Sequence, residues 1–351
     1  MCKAMGVPWR KDSQGDCTIM RKEPRMAMND DRGASRDEAQ LVAAASMYYH
    51  QDMKMDAIGR QLHVSRSTVS RMLKQAREEG LVEIILRPSP TRSSSISQEL
   101  ADAYGIEAYV VPISGLATEA DRLTQVAVYT ARLVMQWMDS DMIMGVAWGT
   151  TIAAVAGQLG KKATLGSTIV QLNGAANTRS SGALYAESLL SQFALCFDAE
   201  IQLFPVPAFF DYAETREAMW RERSTKRVLE LQRRADIALF SVGAVAGAVP
   251  SHVYTAGYLE EEDFALLDRE GVVGDVCTVF LREDGTYSDL VLNERATGPT
   301  PAQLQRIPRR LCIAAGDAKA RAIRAALRAG VATHLVVDER TAKLMIEGSD
   351  G

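Results

Sequence analysis

Hydrophobic residues recur every three to four positions over residues 54–80 (KMDAIGRQLHVSRSTVSRMLKQAREEG), and the recurrence breaks once, at His63-Val64. The pattern predicts two helices joined by a tight turn. Met55, Ile58 and Leu62 share one face of the first, and Val69, Met72, Leu73 and Ala76 share one face of the second. Ser65 stands at an N-cap position, where a hydroxyl can accept from an orphan amide, and Gly80 supplies the stop. Such a pair cannot bury its apolar face alone. An earlier helix opening at Ser35, with Leu41, Val42, Ala45, Met47 and Tyr48 on one side, is the expected packing partner. Residues 81–87 (LVEIILR) alternate apolar and charged side chains and predict a short strand, half of a small wing.

Residues 1–34 show no periodicity and mix glycine, proline and charges, as a disordered tail does. Met26 and Met28 are alternative translation starts to Met1 within it. Pro88, Pro90 and the serines at 93–95 mark a hinge. Beyond it, apolar runs alternate with amphipathic segments. Strands are expected at 107–113, 142–147, 168–172, 201–206, 236–242, 311–315 and 334–337, and helices between them, including 96–104, 318–329 and 340–346. Continuous apolar strands separated by helices indicate a mostly parallel sheet covered on both faces. The expected fold class is therefore α/β: a small all-α, winged helix-turn-helix domain, then a Rossmann-like, doubly wound, mostly parallel α/β domain. The expected boundaries are 1–34 for the tail, 35–90 for the helical domain and 91–351 for the α/β domain.

The 351 residues are 47% hydrophobic and 24% charged with a net charge of −4, as in an ordinary globular protein of two or three domains. Five scattered cysteines and four scattered histidines form neither a disulfide framework nor a metal-ligand spacing, and no apolar run approaches a membrane span. A reduced, cytoplasmic protein without metal or cofactor is expected.

Charge changes the picture only locally. Residues 60–77 hold five cations (Arg60, Arg66, Arg71, Lys74, Arg77) and no acid. The exposed face of the second helix carries Ser65, Arg66, Ser67, Thr68, Ser70, Arg71 and Lys74. Short hydroxyls and long cations suit a helix end laid in a DNA major groove, with arginine on guanine and lysine on phosphate. A helical hairpin with a solvated basic face would share the charge, but turn, cap and charge together favour a DNA-reading helix-turn-helix.

In the large domain, strand ends carry the chemistry. Gly149, Thr150 and Thr151 open a helix after a strand, a seat for an anion such as phosphate or simply an N-cap. Asn173 and Gly174 follow the next strand. Lys319 is expected in the first turn of a helix, where the dipole disfavours it unless an anion binds there. Asp275 stands in an apolar, glycine-rich run (GVVGDVC), where it can cap a turn or accept from sugar hydroxyls. Tyr185 fits core packing better than a site.

The segments YYHQDMKMDAIGRQLHVSRSTVSRMLKQAREEGLVEI, MGVAWGTTI, VQLNGA, DIALFSVGAV, GVVGDVC and AAGDAKARAIRAAL occur in an order that resembles the SorC/DeoR-type sugar-binding transcriptional regulators. The resemblance runs from about residue 40 to 346. It implies a helix-turn-helix head on a sugar-isomerase-like body, double-stranded operator DNA as partner, a sugar or phosphorylated sugar as effector, and homodimers or homotetramers. It also implies that Gly149, Thr150, Thr151 and Lys319 face the effector phosphate, and that Asn173, Gly174 and Asp275 contact the effector. The chain departs from the family at Gly316-Asp317, where two glycines are usual. A carboxylate there would repel a phosphate, which leaves an unphosphorylated sugar or polyol open as effector.

The expected function is thus a transcriptional regulator controlled by a sugar, polyol or sugar phosphate. The competing reading is a sugar-phosphate isomerase- or deaminase-like enzyme with an appended helical domain. That chemistry usually needs a histidine or paired carboxylates, and no histidine falls in the segments above that bear on the effector. A dinucleotide-binding regulator would need G-x-G-x-x-G after a strand, and residues 243–247 (GAVAG) lack that spacing.

Overall fold

The computed structural model describes residues 9–11, 17–19, 31–49, 51, 53–82, 90–244 and 251–348. The chain divides into two compact units, Met1–Arg87 and Pro88–Gly351.

In the first unit, β1 (Trp9–Lys11) and β2 (Cys17–Ile19) pair antiparallel inside the stretch read as an unstructured tail. Three helices follow: α1 (Asp31–Tyr49), α2 (Met55–Leu62) and α3 (Arg66–Glu78). α1 starts four residues ahead of Ser35. The helices close on Leu41, Ala44, Ala45, Ile58, Val69, Leu73 and Ala76, most of them recurring apolar positions of the sequence, whereas Val42, expected on the same side, is 48% exposed. α2 ends where His63 turns left-handed at φ 56° and the Val64 amide returns to the Gly59 carbonyl at 2.9 Å. The wing expected at 81–87 falls mostly on residues 83–87, outside the described residues.

The second unit opens with α4 (Pro90–Tyr104), so the expected hinge at Pro90 and the serines at 93–95 is helical instead. Pro90 takes the first helical position, where the missing N–H is no loss. Then come β3 (Glu107–Val111), α5 (Glu119–Trp137), β4 (Ile143–Val146), α6 (Thr150–Ala156), β5 (Thr168–Gln171), α7 (Ala183–Phe197) and β6 (Glu200–Gln202). Two helices follow, α8 (Ala213–Arg221) and α9 (Arg223–Arg233), broken at Glu222. β7 (Ile237–Ala244), α10 (His252–Thr255), α11 (Glu261–Arg269), β8 (Val272–Val276) and β9 (Val279–Arg282) follow. α12 (Pro301–Leu304), β10 (Arg309–Ala314), α13 (Ala320–Arg328), β11 (His334–Asp338) and α14 (Glu339–Glu347) complete it.

The sheet runs β3-β11-β10-β7-β4-β5-β6, every neighbouring pair parallel. Alternating strand residues pack α5, α6 and α7 on one face, through Val146, Ile169, Leu239 and Ile313. The other face packs α4, α13 and α14 through Val110, Phe240, Cys312 and Leu335, and α9 through Val170. An antiparallel hairpin, β8 and β9, hangs on the end of β7 and was not expected. The chain winds outward from β4 to β6 in one direction and from β7 to β11 in the other. The carboxyl ends of β4 and β7 therefore flank the switch point, the usual ligand position of such sheets.

Candidate functional site

The recognition surface is built by the cap of α3. Ser65 Oγ accepts from the Thr68 amide at 3.1 Å and lies 2.8 Å from both the Ser67 and Thr68 hydroxyls. Three of the candidate readers are thus tied into the helix start. Ser65, Arg66, Ser67, Ser70, Arg71 and Lys74 are exposed, and Thr68 is half-buried. Tethers on the cations are loose: Arg66 to Asp56 at 4.0 Å, Lys74 to Glu78 at 3.6 Å, and Arg71 Nε to the Ser67 carbonyl at 3.4 Å. Exposed pairs of this kind contribute about 0–1 kcal/mol and yield readily to phosphate or base edges. Asp56, four residues ahead of the acid-free run, and Glu78, directly after it, are carboxylates the fold returns to this face.

At the switch point lies a cavity of ≈ 50 Å³. Gly149 turns the chain from β4 into α6 at φ 147°, a conformation other residues rarely adopt. Thr150 and Thr151 line the cavity behind it. Lys319 enters from the opposite side and donates to Thr151 Oγ1 at 3.2 Å and Ser241 Oγ at 3.5 Å. It closes a 3₁₀ turn (Asp317–Lys319) ahead of α13, rather than standing in the first turn of a helix. Burial pushes its pKa below the ordinary lysine value, and Cys312, Asp275 and Glu119 act the other way.

Asp275, on β8, is 4% exposed. One carboxyl oxygen accepts from the Thr278 amide at 3.1 Å and so caps the hairpin turn. The other, Oδ1, is buried without a hydrogen bond, as is Oδ1 of Asn173. Burial raises the Asp275 pKa to about 6, against the Thr278 amide, the nearby Tyr254 hydroxyl and Lys319, which lower it. Gly174 does not line the cavity. Its amide donates to Thr297 Oγ1 at 3.0 Å and its carbonyl accepts from Trp148 Nε1 at 2.8 Å, so its backbone is spent on packing.

The Sugar-bind family model, a sugar-binding domain, matches residues 89–347. The chain is 31% identical to the deoxyribonucleoside regulator of Bacillus subtilis (strain 168), over 89% of this chain and 98% of that one. Its structure resembles a domain of a possible sugar-binding transcriptional regulator from Arthrobacter aurescens TC1, at 43% identity and a TM-score of 0.68, covering 74% of this chain and all of that one. It also resembles the full-length sorbitol operon regulator SorC from Klebsiella pneumoniae, at 26% identity and a TM-score of 0.63, covering 89% and 99%. The chain belongs to the SorC/DeoR-type sugar-binding transcriptional regulators.

This regulator is an effector-controlled transcription factor and not an enzyme. Its departure from the family pattern at Asp317 has a structural answer. Asp317 Oδ1 accepts from Arg122 at 2.6 Å and Oδ2 pairs with Arg340 at 2.8 Å. Arg122 is itself buried and also pairs with Asp338 at 3.2 Å. Asp338 in turn accepts from the Gly316 amide at 3.2 Å and the Thr341 hydroxyl at 2.6 Å. The carboxylate expected to repel a phosphate is held by two guanidiniums and is absent from the cavity lining.

Sequence reasoning missed part of the wall: Ser241, Gly243, Ser251, His252, Cys277 and Thr278. No histidine falls in the segments singled out from sequence, but His252, outside them, lines the cavity. It starts a four-residue helix too short to show a period, and its ring packs against Tyr185 at 5.3 Å. Cys277 and Thr278 form the β8–β9 turn with φ of 51° and 72°, where Asn-Gly would be the readable signal. Within the GAVAG segment, residues 245–247 lie outside the described residues.

Proposed function

We propose that a phosphorylated sugar in the switch-point cavity controls operator binding by α3. Lys319 carries this reading: a cation held within hydrogen-bond reach of Thr151, in a cavity entered at the Gly149 turn. The phosphate takes Lys319 Nζ and the Thr150 and Thr151 hydroxyls, and the unpartnered oxygens of Asn173 and Asp275 accept from sugar hydroxyls. With Asp317 held by Arg122 and Arg340, its charge does not stand against the phosphate, and among the described residues Asp275 is the one carboxyl in the cavity lining. Relatives named for deoxyribonucleosides and sorbitol support a sugar-derived effector.

The cavity of ≈ 50 Å³ is open to solvent and seats the phosphate end of the ligand. A ligand that binds one shape of the regulator more tightly than another shifts the population toward it. On the DNA side, Arg66, Ser67, Ser70 and Arg71 read base edges, Lys74 meets phosphate, and Ser65 and Thr68 brace the helix start against the backbone. The regulator acts in the cytoplasm as a homo-oligomer, two α3 helices taking two half-sites. No helix among the described residues is long and apolar enough to cross a membrane.

A thermal-shift screen of sugars, polyols and their phosphates, followed by calorimetry, tests the effector assignment. A phosphate ester should raise the melting temperature. Lys319→Ala and Thr151→Val should each weaken it at least tenfold and leave operator affinity of the ligand-free protein intact. Wild-type affinity in both variants, or equal binding of a sugar and its phosphate, would remove the phosphate seat.

A further inference from the structure

The second unit holds a larger cavity, ≈ 430 Å³, between α8–α9 and the 297–307 segment. It shares no lining residue with the switch-point cavity. The two are separated by a thin wall. Leu172 lines the larger and its neighbour Asn173 the smaller, while Gly298 lies against the Cys277 carbonyl so closely that no Cβ fits.

The charge in this cavity is unbalanced. Arg216 stacks on the Trp220 ring, 5.0 Å from its centroid, and that ring is wedged edge-on against Phe204 and Phe210 at 5.6 and 6.0 Å. One guanidinium nitrogen donates to the Glu294 carbonyl at 3.2 Å, but Nε is buried and donates to nothing. Burial pulls the Arg216 pKa down, and only Glu217 acts the other way. Glu230, in the same wall, is already committed to Arg233. Lys226 stands exposed at the rim. A half-buried guanidinium with an unmet donor is costly to hold, and an anion beside it removes the cost.

We propose that this cavity is a second ligand site, for a small organic anion with a planar apolar part. Its charge sits on Lys226 and beside the Arg216 guanidinium, and its plane lies along Leu172, Leu229 and Ile307. The volume falls within the ~300–1,000 Å³ of small-molecule pockets.

The probe is 1-anilinonaphthalene-8-sulfonate, an aromatic monoanion, titrated by fluorescence into the full chain. One probe per chain should bind. Lys226→Glu and Arg216→Met should each weaken it at least tenfold, and Lys319→Ala, in the other cavity, should leave it unchanged. The neutral analogue N-phenyl-1-naphthylamine should bind at least tenfold more weakly. Lys226 is exposed, so its substitution decides the matter even if Arg216→Met lowers the melting temperature. Unchanged probe affinity in Lys226→Glu, loss of the probe in Lys319→Ala, or equal binding of the neutral analogue would each overturn the proposal.

Discussion

Asp275 serves two purposes with one side chain. One oxygen holds a strained hairpin turn, and the other faces the cavity without a partner. The folded chain keeps its proton up to about pH 6, against 3.8 for a free aspartate, because burial disfavours the charge. The folded state therefore binds this proton more tightly than the unfolded state, and stability falls as pH rises from about 4 to about 6. Two pKa units correspond to about 3 kcal/mol at most. Asp275→Asn removes this dependence. Melting temperatures of the two proteins, followed from pH 4 to 7, should diverge in favour of the variant as pH rises. Parallel curves would mean that Asp275 is ionised throughout. The residue was legible because an acid in an apolar, glycine-rich run stands out. Ser241 and Ser251 were not, because nothing local separates a serine inside a strand, or one ahead of a short helix, from one that lines a site.

Among elements, the turn between β10 and α13 shows why a motif read in isolation misleads. In sequence, Asp317 sits two residues from Lys319 and suggests repulsion of a phosphate. In the fold, Arg122 reaches across from α5, 195 residues away, and turns that charge aside. Arg122→Met should leave Asp338, which is 0% exposed, without its cation and cost about 3–5 kcal/mol, read by urea denaturation. Asp317→Asn should change phosphate-ester affinity less than threefold; a gain of tenfold would show that its charge does reach the cavity. The parallel strands and the α2–α3 pair were legible because their apolar periods are long and regular. The β8–β9 hairpin was not, since its turn carries Cys277-Thr278 rather than a glycine pair. For α3, Arg71→Ala should weaken specific operator binding by about 1–3 kcal/mol, and Lys74→Ala should lower the salt slope by about one. Both are measured by anisotropy against operator and unrelated DNA, and equal losses on the two DNAs for Arg71→Ala would reassign it from base to phosphate.

At the scale of the molecule, one α3 cannot supply the specificity a regulator needs. It presents seven candidate contacts, three of them hydroxyls already engaged at the helix cap. A homo-oligomer doubles the contacts and fixes their spacing, since two recognition helices related by symmetry fit half-sites about one helical turn, or a multiple, apart. Inserting five base pairs between half-sites turns one to the far side of the duplex, whereas ten restore the phase at greater separation. Operator affinity should therefore fall more than tenfold for five and recover in part for ten. If neither insertion matters, each chain reads DNA alone. Under the proposed function, effector binding shifts the population between two shapes of the assembly, of which one fits the spacing. Linkage then requires reciprocity, so that a sugar phosphate lowering operator affinity by some factor is itself bound more weakly by that factor on the operator. Calorimetric titration of the effector into free and operator-bound regulator measures both sides. Equal effector affinities in the two, alongside a shifted operator affinity, would violate linkage and place the effect in a competing DNA-binding event rather than in the cavity.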